Sequence, residues 1–90
     1  MSPQPNIAVI GSIIMDLAVT TPRVPRTGEN LLAHGFQMGP GGKGANSAVA
    51  LARMGAHATL LGRVGDDQFG RTELEIVRQA GGDTSPVIRE

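Results

Sequence analysis

The order of apolar and polar positions predicts strands in the first part of the chain. Residues 6–11 form a short, continuous apolar run that is rich in β-branched side chains and ends at a glycine. Such a run is typical of a strand buried on both faces of a parallel sheet. Residues 16–21 predict a second strand, and residues 31–38 mix apolar and polar positions in a way that indicates an exposed strand. The prolines and turn residues of 22–30 exclude regular structure between those two strands.

The second part of the chain predicts two helices separated by a strand. A glycine-rich stretch, residues 38–44, leads into apolar positions at helical spacing, namely Ala45, Ala48, Val49 and Ala52. Residues 58–65 predict a strand after Gly55, and either Asp66 or Asp67 can cap the helix that follows. The second helix is expected to end before the paired glycines near the end of the chain, after which a further strand begins.

Strands that alternate with helices indicate an α/β fold, in which right-handed βαβ units surround a parallel sheet. The chain has no internal repeat and no linker that would separate two folding units. Residues 1–90 are therefore predicted to belong to a single domain.

The amino-acid composition argues against several classes of binding partner, including nucleic acid and membranes. Among 90 residues there are 8 basic and 8 acidic side chains, and this zero net charge argues against binding nucleic acid through phosphate neutralisation. The aromatic residues are two Phe, too few for the base-stacking surfaces of single-strand binders. The absence of Cys excludes disulfides and thiolate zinc sites. Residues 1–5 lack the basic start of a signal peptide and no apolar run approaches a membrane span, so we expect a cytoplasmic protein with no membrane partner.

The glycine-rich stretch ahead of the first helix is the sharpest chemical signal. A helix N-terminus presents free N–H groups and the positive end of the helix dipole, which favour an anion or a polar oxygen. Glycines let the backbone approach a ligand closely, Lys43 adds a charge, and Asn46 offers a donor and an acceptor suited to hydroxyl groups. The alternative is a tight structural loop whose glycines only permit unusual backbone angles.

Two phosphate-binding motifs can be compared with this loop. A Walker loop fails twice, because Gln37 stands at its first glycine and Gly44 at its Ser or Thr. Gly39, Gly41 and Gly44 match the dinucleotide pattern G-x-G-x-x-G in form. That motif should directly follow the first strand, whereas here a long β segment intervenes. A dinucleotide-binding domain therefore remains a minor alternative.

Asp16 is a second candidate ligand, because it follows the first predicted buried strand. In open parallel sheets, ligands collect beyond the carboxyl ends of the strands, and a carboxylate there can accept hydrogen bonds from neighbouring sugar hydroxyls. A solvated turn aspartate is the alternative. His34 and His57 lack acidic or histidine partners at ligand spacing, so both are expected at the surface and no metal site is predicted.

Several motifs stand in a fixed order along almost the whole chain. They are Gly11-Ser12-Ile13 with Asp16, Pro25 with Gly28-Glu29, Gly41 to Asn46, Arg53 to Ala56, and Gly62 to Asp67 with Gly70. In order and spacing they resemble the ribokinase family of carbohydrate kinases. This resemblance favours a ligand-binding role for the glycine-rich loop over a purely structural one.

The resemblance implies a Rossmann-like parallel sheet with flanking helices and a small β-lid, built from residues about 15–21 and 31–38. In this family the lid closes over the sugar and commonly supplies a dimer interface, so a homodimer is expected. The 90 residues are then the N-terminal part of a single ribokinase-like domain, without its C-terminal nucleotide-binding half.

The resemblance also implies a reaction and a site. ATP would transfer its γ-phosphoryl group to the hydroxymethyl group of a sugar, with Mg²⁺ and in some members K⁺ assisting. Asp16 would bind the sugar hydroxyls. Gly41, Gly42 and Lys43 would line the sugar pocket, and Asn46 would reach it from the helix start.

The chain departs from the family's pattern in two respects. Ile14 stands where ribokinases proper usually carry Asn, which removes a polar contact to the sugar and argues against ribose itself. No segment matches the family's catalytic aspartate or nucleotide pocket, so no catalytic, ATP-binding or metal-binding residue is expected here and the chain alone is expected to be inactive. A non-catalytic module that binds a sugar, or associates through the lid, is the alternative.

Overall fold

The computed structural model describes residues 4–90, so the first three residues of the N-terminal segment interpreted above lie outside the described part. The elements in chain order are β1 (Asn6–Ile10), β2 (Ile14–Thr20), β3 (Gly35–Gly41), α1 (Lys43–Arg53), β4 (His57–Leu61), β5 (Arg63–Val64), α2 (Gln68–Gln79) and β6 (Ile88–Arg89). Neither of these helices is long and apolar enough to cross a membrane.

Parallel pairing defines the main body of the fold. β1 pairs with β4 in parallel, with Val9 opposite Leu60, and α1 connects the lid to β4. The short strands β5 and β6 also pair in parallel, and Thr59 forms a parallel bridge with Asp83. Strands joined through helices into parallel pairs confirm the predicted α/β class.

The core of the chain is small and is shared by both helices. Its buried cluster consists of Ala45 and Ala48 from α1, Leu60 from β4 and Val77 from α2. The alanines let α1 lie close to β4, because they place little bulk between helix and strand. The expectation that β1 is buried on both faces is wrong for the described residues. Its Ile10 is 82% exposed, since only one side of β1 packs against this cluster.

β2 and β3 form a separate antiparallel ribbon, which we call the lid. Leu17 lies opposite Met38, Val19 lies opposite Phe36, and the N–H of His34 donates to Thr20 O at 2.9 Å where the ribbon closes. The second strand of the lid extends over 35–41 rather than 31–38, so the first two glycines of the predicted loop, Gly39 and Gly41, belong to a strand. Pairing with β2 satisfies the backbone there and overrides the turn preference of glycine.

The helix termini follow their sequence signals closely. Helix α2 begins after Asp67, whose Oδ1 accepts a hydrogen bond from the Gly70 N–H at 2.8 Å, as a capping carboxylate should. Helix α1 begins at Lys43, two residues before its first predicted apolar position. The strand predicted over residues 58–65 is interrupted at Gly62, which separates β4 from β5.

Candidate functional site

The junction between β3 and α1 brings the glycine-rich residues to one point. Gly41 ends β3, Gly42 is the N-cap of α1 and Lys43 is its first residue. The Ala45 N–H donates to Ser12 O, and the Asn46 N–H donates to Gly42 O, both at 3.0 Å. The first of these bonds ties the start of α1 to the segment that follows β1, and the second closes the first turn of the helix.

Gly42 is required by its backbone conformation and by its surroundings. Its φ of 86° lies in the left-handed region, where side chains are strained. A Cβ built at Gly42 would also lie 2.5 Å from Ser12 O, which is backbone and cannot move aside cheaply. The turn into α1 therefore depends on glycine at this position. This requirement alone would account for Gly42 as a structural residue, and it is compatible with a binding role for the loop.

The Asp16 carboxylate lies against Gly41. A Cβ at Gly41 would be 2.5 Å from Asp16 Oδ1 and 2.7 Å from Cγ, so the carboxylate fills the space that a side chain would need. Asp16 itself lies within β2, opposite Gly39, so it belongs to the second predicted strand and not to a turn, which was the alternative. The lid thus delivers the carboxylate to the start of α1.

The polar side chains among the five predicted residues are exposed to solvent. Lys43, Asn46 and Asp16 are all exposed, and no side chain caps α1 at Gly42. The first turn of an uncapped helix keeps backbone N–H groups available to a ligand. A carboxylate, an amide and free N–H groups can both donate hydrogen bonds to and accept them from a polyhydroxylated molecule. The structure therefore places Asp16 against Gly41 at the start of α1, the helix that carries Lys43 and Asn46 in its first turn, and the binding role of the five predicted residues stays a prediction.

Two clefts flank this junction. The larger, about 650 Å³, lies beside β2 and the start of α2, and none of the five predicted residues lines it. The smaller, about 270 Å³, lies between α1 and α2 and is lined by Pro40, Asn46, Arg53 and Glu73 among others. We place the candidate binding site at the junction and not in the larger cleft, because none of the predicted polar residues lines that cleft.

Glu73 is a site neighbour that sequence reasoning missed. It is 2% exposed, and neither carboxylate oxygen has a hydrogen-bond partner within residues 4–90. Burial raises the pKa of Glu73, the nearby Asp16 charge adds to the rise, and the backbone of Gly41 opposes it. One signal was available: position 73 lies in the apolar stripe of α2, at helical spacing from Phe69, Ile76 and Val77.

The dinucleotide alternative does not fit this geometry. Gly39 and Gly41 lie in the antiparallel lid strand β3, whereas the dinucleotide motif requires its glycines in the turn between the first parallel strand and its helix. Within the described residues, no three histidine or acidic side chains converge on a point that could hold a metal ion. Among residues 4–90, the histidine and acidic side chains therefore form no cluster of three for the Mg²⁺ that the resemblance implies.

Comparison with known proteins identifies the class. The model of the pfkB family of carbohydrate kinases matches residues 4–90. Ribokinase from Bacillus subtilis is 51% identical over 76 residues, which cover 84% of this chain and 26% of that protein. Deoxyribokinase from Salmonella typhi is 43% identical over 82 residues, covering 91% of this chain and 27% of that protein. The chain thus spans about a quarter of the length of these curated relatives.

A solved structure agrees with the sequence comparison. Ribokinase from Arabidopsis thaliana, complexed with ribose and ATP, superposes with a TM-score of 0.86 at 31% identity. The match covers 97% of this chain and 28% of that one. Fold and sequence therefore define a carbohydrate-kinase segment. The chain belongs to the pfkB family of carbohydrate kinases.

Proposed function

We propose that this chain supplies the sugar-binding side of an ATP-dependent carbohydrate kinase. The observation that carries the proposal is the contact between the Asp16 carboxylate and Gly41 at the uncapped start of α1. Membership of the pfkB family and the likeness to a ribokinase complexed with ribose and ATP support it.

Each residue has a chemical role in the proposal. Asp16 accepts hydrogen bonds from neighbouring hydroxyls of the sugar, because a carboxylate offers two acceptor oxygens. Asn46 donates to or accepts from a further hydroxyl, and Lys43 donates from the first turn of α1. Gly41 and Gly42 keep side chains out of the pocket, so the sugar can reach the backbone and the helix N-terminus.

The reaction is transfer of the ATP γ-phosphoryl group to a sugar hydroxymethyl group. The catalytic base, the nucleotide site and any Mg²⁺ or K⁺ ligands are assigned to residues other than these 90, since no segment here matches them. Phosphoryl transfer relies on positioning and charge stabilisation, and this chain contributes the positioning of the acceptor sugar.

Calorimetric titration with ribose, 2-deoxyribose and fructose tests the proposal. Asn46→Ala should weaken the affinity for the preferred sugar by about tenfold, because a hydrogen bond to the ligand is lost. Ser47→Ala is the matched control, since Ser47 is an exposed neighbour on the same helix. Equal affinities for the two variants would remove Asn46 from the site. ADP release with ATP and sugar is expected to need the further residues, so robust turnover by the 90-residue chain would contradict that assignment.

A second candidate function is association through the lid, and one observation favours it. Leu17, Val19, Phe36 and Met38 lie on one face of the lid, and each is more than half exposed. An exposed apolar strip of this kind is typical of a protein–protein contact. We propose that a second copy of this chain covers the strip.

Sedimentation velocity tests this association. Leu17→Lys should shift a dimer to the monomer, whereas Leu32→Lys, at an exposed apolar position outside the strip, should not. A monomeric wild-type chain at all concentrations would contradict the proposal.

A further inference from the structure

Three glycines from different elements meet where β1, β4 and α1 come together. Gly11 follows β1, Gly62 follows β4, and Gly44 is the second residue of α1. A Cβ built on Gly44 would lie 2.5 Å from Gly11 C, and a Cβ built on Gly11 would lie 2.9 Å from Gly44 Cα. A Cβ on Gly62 would lie 3.0 Å from Gly11 O. Gly11 and Gly44 therefore contact each other backbone to backbone, with no room for a side chain on either residue.

The close approach, and not the backbone conformation, accounts for glycine at these positions. None of the three has a positive φ angle, so alanine could adopt the same backbone angles. At position 44 alanine would also be the better helix former. The atoms that a methyl group would meet at Gly11 and Gly44 are backbone atoms, which cannot rotate aside as the end of a side chain can. Glycine here allows the first turn of α1 to lie directly against the end of β1.

A hydrogen bond reinforces the contact. The Ala45 N–H donates to Ser12 O at 3.0 Å, and a Cβ on Gly44 would lie 2.8 Å from that same oxygen. A side chain at position 44 would therefore press on the acceptor of this bond as well as on Gly11. The contact and the hydrogen bond together fix the start of α1 against residues 11–13, the segment that connects β1 to the lid strand β2.

We propose that Gly11 and Gly44 are positioning residues, which set how closely the start of α1 approaches the segment that leads to Asp16. This inference rests on the proposed sugar-binding function. Lys43 and Asn46 lie on either side of Gly44 in the first turn of α1, so a displacement of this turn moves both of them relative to Asp16. The two glycines act through these side chains and need no contact with the sugar.

Alanine substitutions test this role in calorimetric titrations with ribose, 2-deoxyribose and fructose. Gly11→Ala and Gly44→Ala should each weaken the affinity for the preferred sugar by about tenfold or more, because a hydrogen bond to the sugar is lost when the ligands are displaced. Gly62→Ala should have a smaller effect, since the atom nearest to its Cβ is Ile13 Cδ1, the end of a flexible side chain. Asp67→Ala is the stability control: it removes the cap of α2 and leaves the start of α1 unchanged, so it should bind sugar as the wild type does.

Amide hydrogen exchange measures the contact without sugar. The Ala45 N–H reports the start of α1 through its bond to Ser12 O, and the N–H of the buried Leu60 reports the core. In Gly11→Ala the ratio of the Ala45 exchange rate to the Leu60 exchange rate should rise by about tenfold, because the bond at the displaced turn opens locally. Position 11 is remote from Ala45 in sequence, so this effect passes through the contact. In Asp67→Ala the ratio should equal that of the wild type.

The two measurements separate the contact from the binding role. If the wild type binds sugar and both Gly11→Ala and Gly44→Ala bind it equally well, the glycines only pack together and the positioning proposal is overturned. An unchanged exchange ratio in Gly11→Ala overturns it as well. If Gly44→Ala does not fold, Gly11→Ala and the milder Gly62→Ala decide. If the wild type binds no sugar in the panel, the proposed function fails and the positioning role fails with it, while the exchange ratio still shows whether the contact fixes the start of α1.

Discussion

The carboxylate of Asp16 occupies the space in which a side chain at position 41 would stand. A Cβ built on Gly41 would lie 2.5 Å from Asp16 Oδ1, so a side chain at position 41 and the Asp16 carboxylate cannot occupy this space together. The lid strand β2 brings the carboxylate, and the lid strand β3 brings the glycine, to the N-terminus of α1. This pairing places an acidic group beside free backbone donors, which is the arrangement on which the proposed sugar site depends.

Gly41→Ala should disrupt this relationship. The added methyl group must displace the Asp16 carboxylate, and because that side chain is exposed and can rotate aside, the cost in the free energy of unfolding should be small. Urea denaturation measures that cost, and calorimetry should show a loss of sugar affinity. Gly39→Ala is a strict control on the same strand, since a Cβ there meets nothing within 4 Å. Equal behaviour of the two variants would contradict the close approach.

Asp67→Ala should destabilise α2. Its Oδ1 accepts the Gly70 N–H at 2.8 Å, and removing such a cap costs about 1 kcal/mol of stability. Thermal denaturation of the variant measures the effect. The neighbouring Asp66→Ala should be nearly neutral, because its ion pair with Arg71 is exposed and 3.9 Å long. A larger effect at Asp66 than at Asp67 would reverse the assignment of the cap.

Ile14→Asn should shift sugar preference toward ribose. Ile14 is half exposed, lies opposite Gly41 and shares its strand face with Asp16, so a side chain there faces the proposed sugar. A polar amide should improve ribose affinity relative to 2-deoxyribose by up to about tenfold, because it can bond an additional hydroxyl. Ala18→Asn lies further along the same face and serves as control. An unchanged ribose to 2-deoxyribose ratio would remove Ile14 from the site.

Stability should depend on pH in opposite senses at two carboxyl groups. Burial raises the pKa of Glu73 above its ordinary value of 4.5, so the native state binds this proton more tightly than the unfolded chain does. The contribution of protonated Glu73 to the free energy of unfolding is therefore fully present below about pH 4.5, and it is lost as the pH rises through the raised pKa. The Ser85 N–H, 2.9 Å from Asp83 Oδ1, lowers the pKa of Asp83 below 3.8, so that contribution is lost as the pH falls.

Urea denaturation across pH measures these opposite trends. Glu73→Gln should gain about 1 kcal/mol over the wild type at pH 8, because it removes an ionised group from the interior. The difference should shrink toward pH 4. A constant difference between the two proteins at every pH would contradict a buried, titrating Glu73.

Much of the fold could be predicted because local signals agree with tertiary structure. The spacing of Ala45, Ala48 and Val49 predicts α1, and an acidic residue ahead of position 68 predicts the start of α2. These signals are carried by neighbours in sequence, so one chain suffices to find them. The α/β class is confirmed, and the structure places Asp16 against Gly41 at the start of the helix that carries Lys43 and Asn46.

The features that escaped prediction depend on contacts between distant segments. Pairing with β2 turns Gly39 and Gly41 into strand residues, although their composition predicts a loop. Burial of Glu73 follows from the packing of α2 against the lid, and sequence alone assigns a glutamate to the surface. Exposure of Ile10 arises because one side of β1 meets no partner among the described residues.

The most direct test of the central claim compares Asp16→Asn with Asp66→Asn in calorimetric sugar titrations. Both changes remove one exposed carboxylate charge, but only Asp16 lies against Gly41. The account predicts that Asp16→Asn weakens sugar binding by about tenfold or more, since hydrogen bonds to a charged acceptor are among the stronger ones. Asp66→Asn should match the wild type. Equal sugar affinity in both variants would contradict a sugar site at the start of α1.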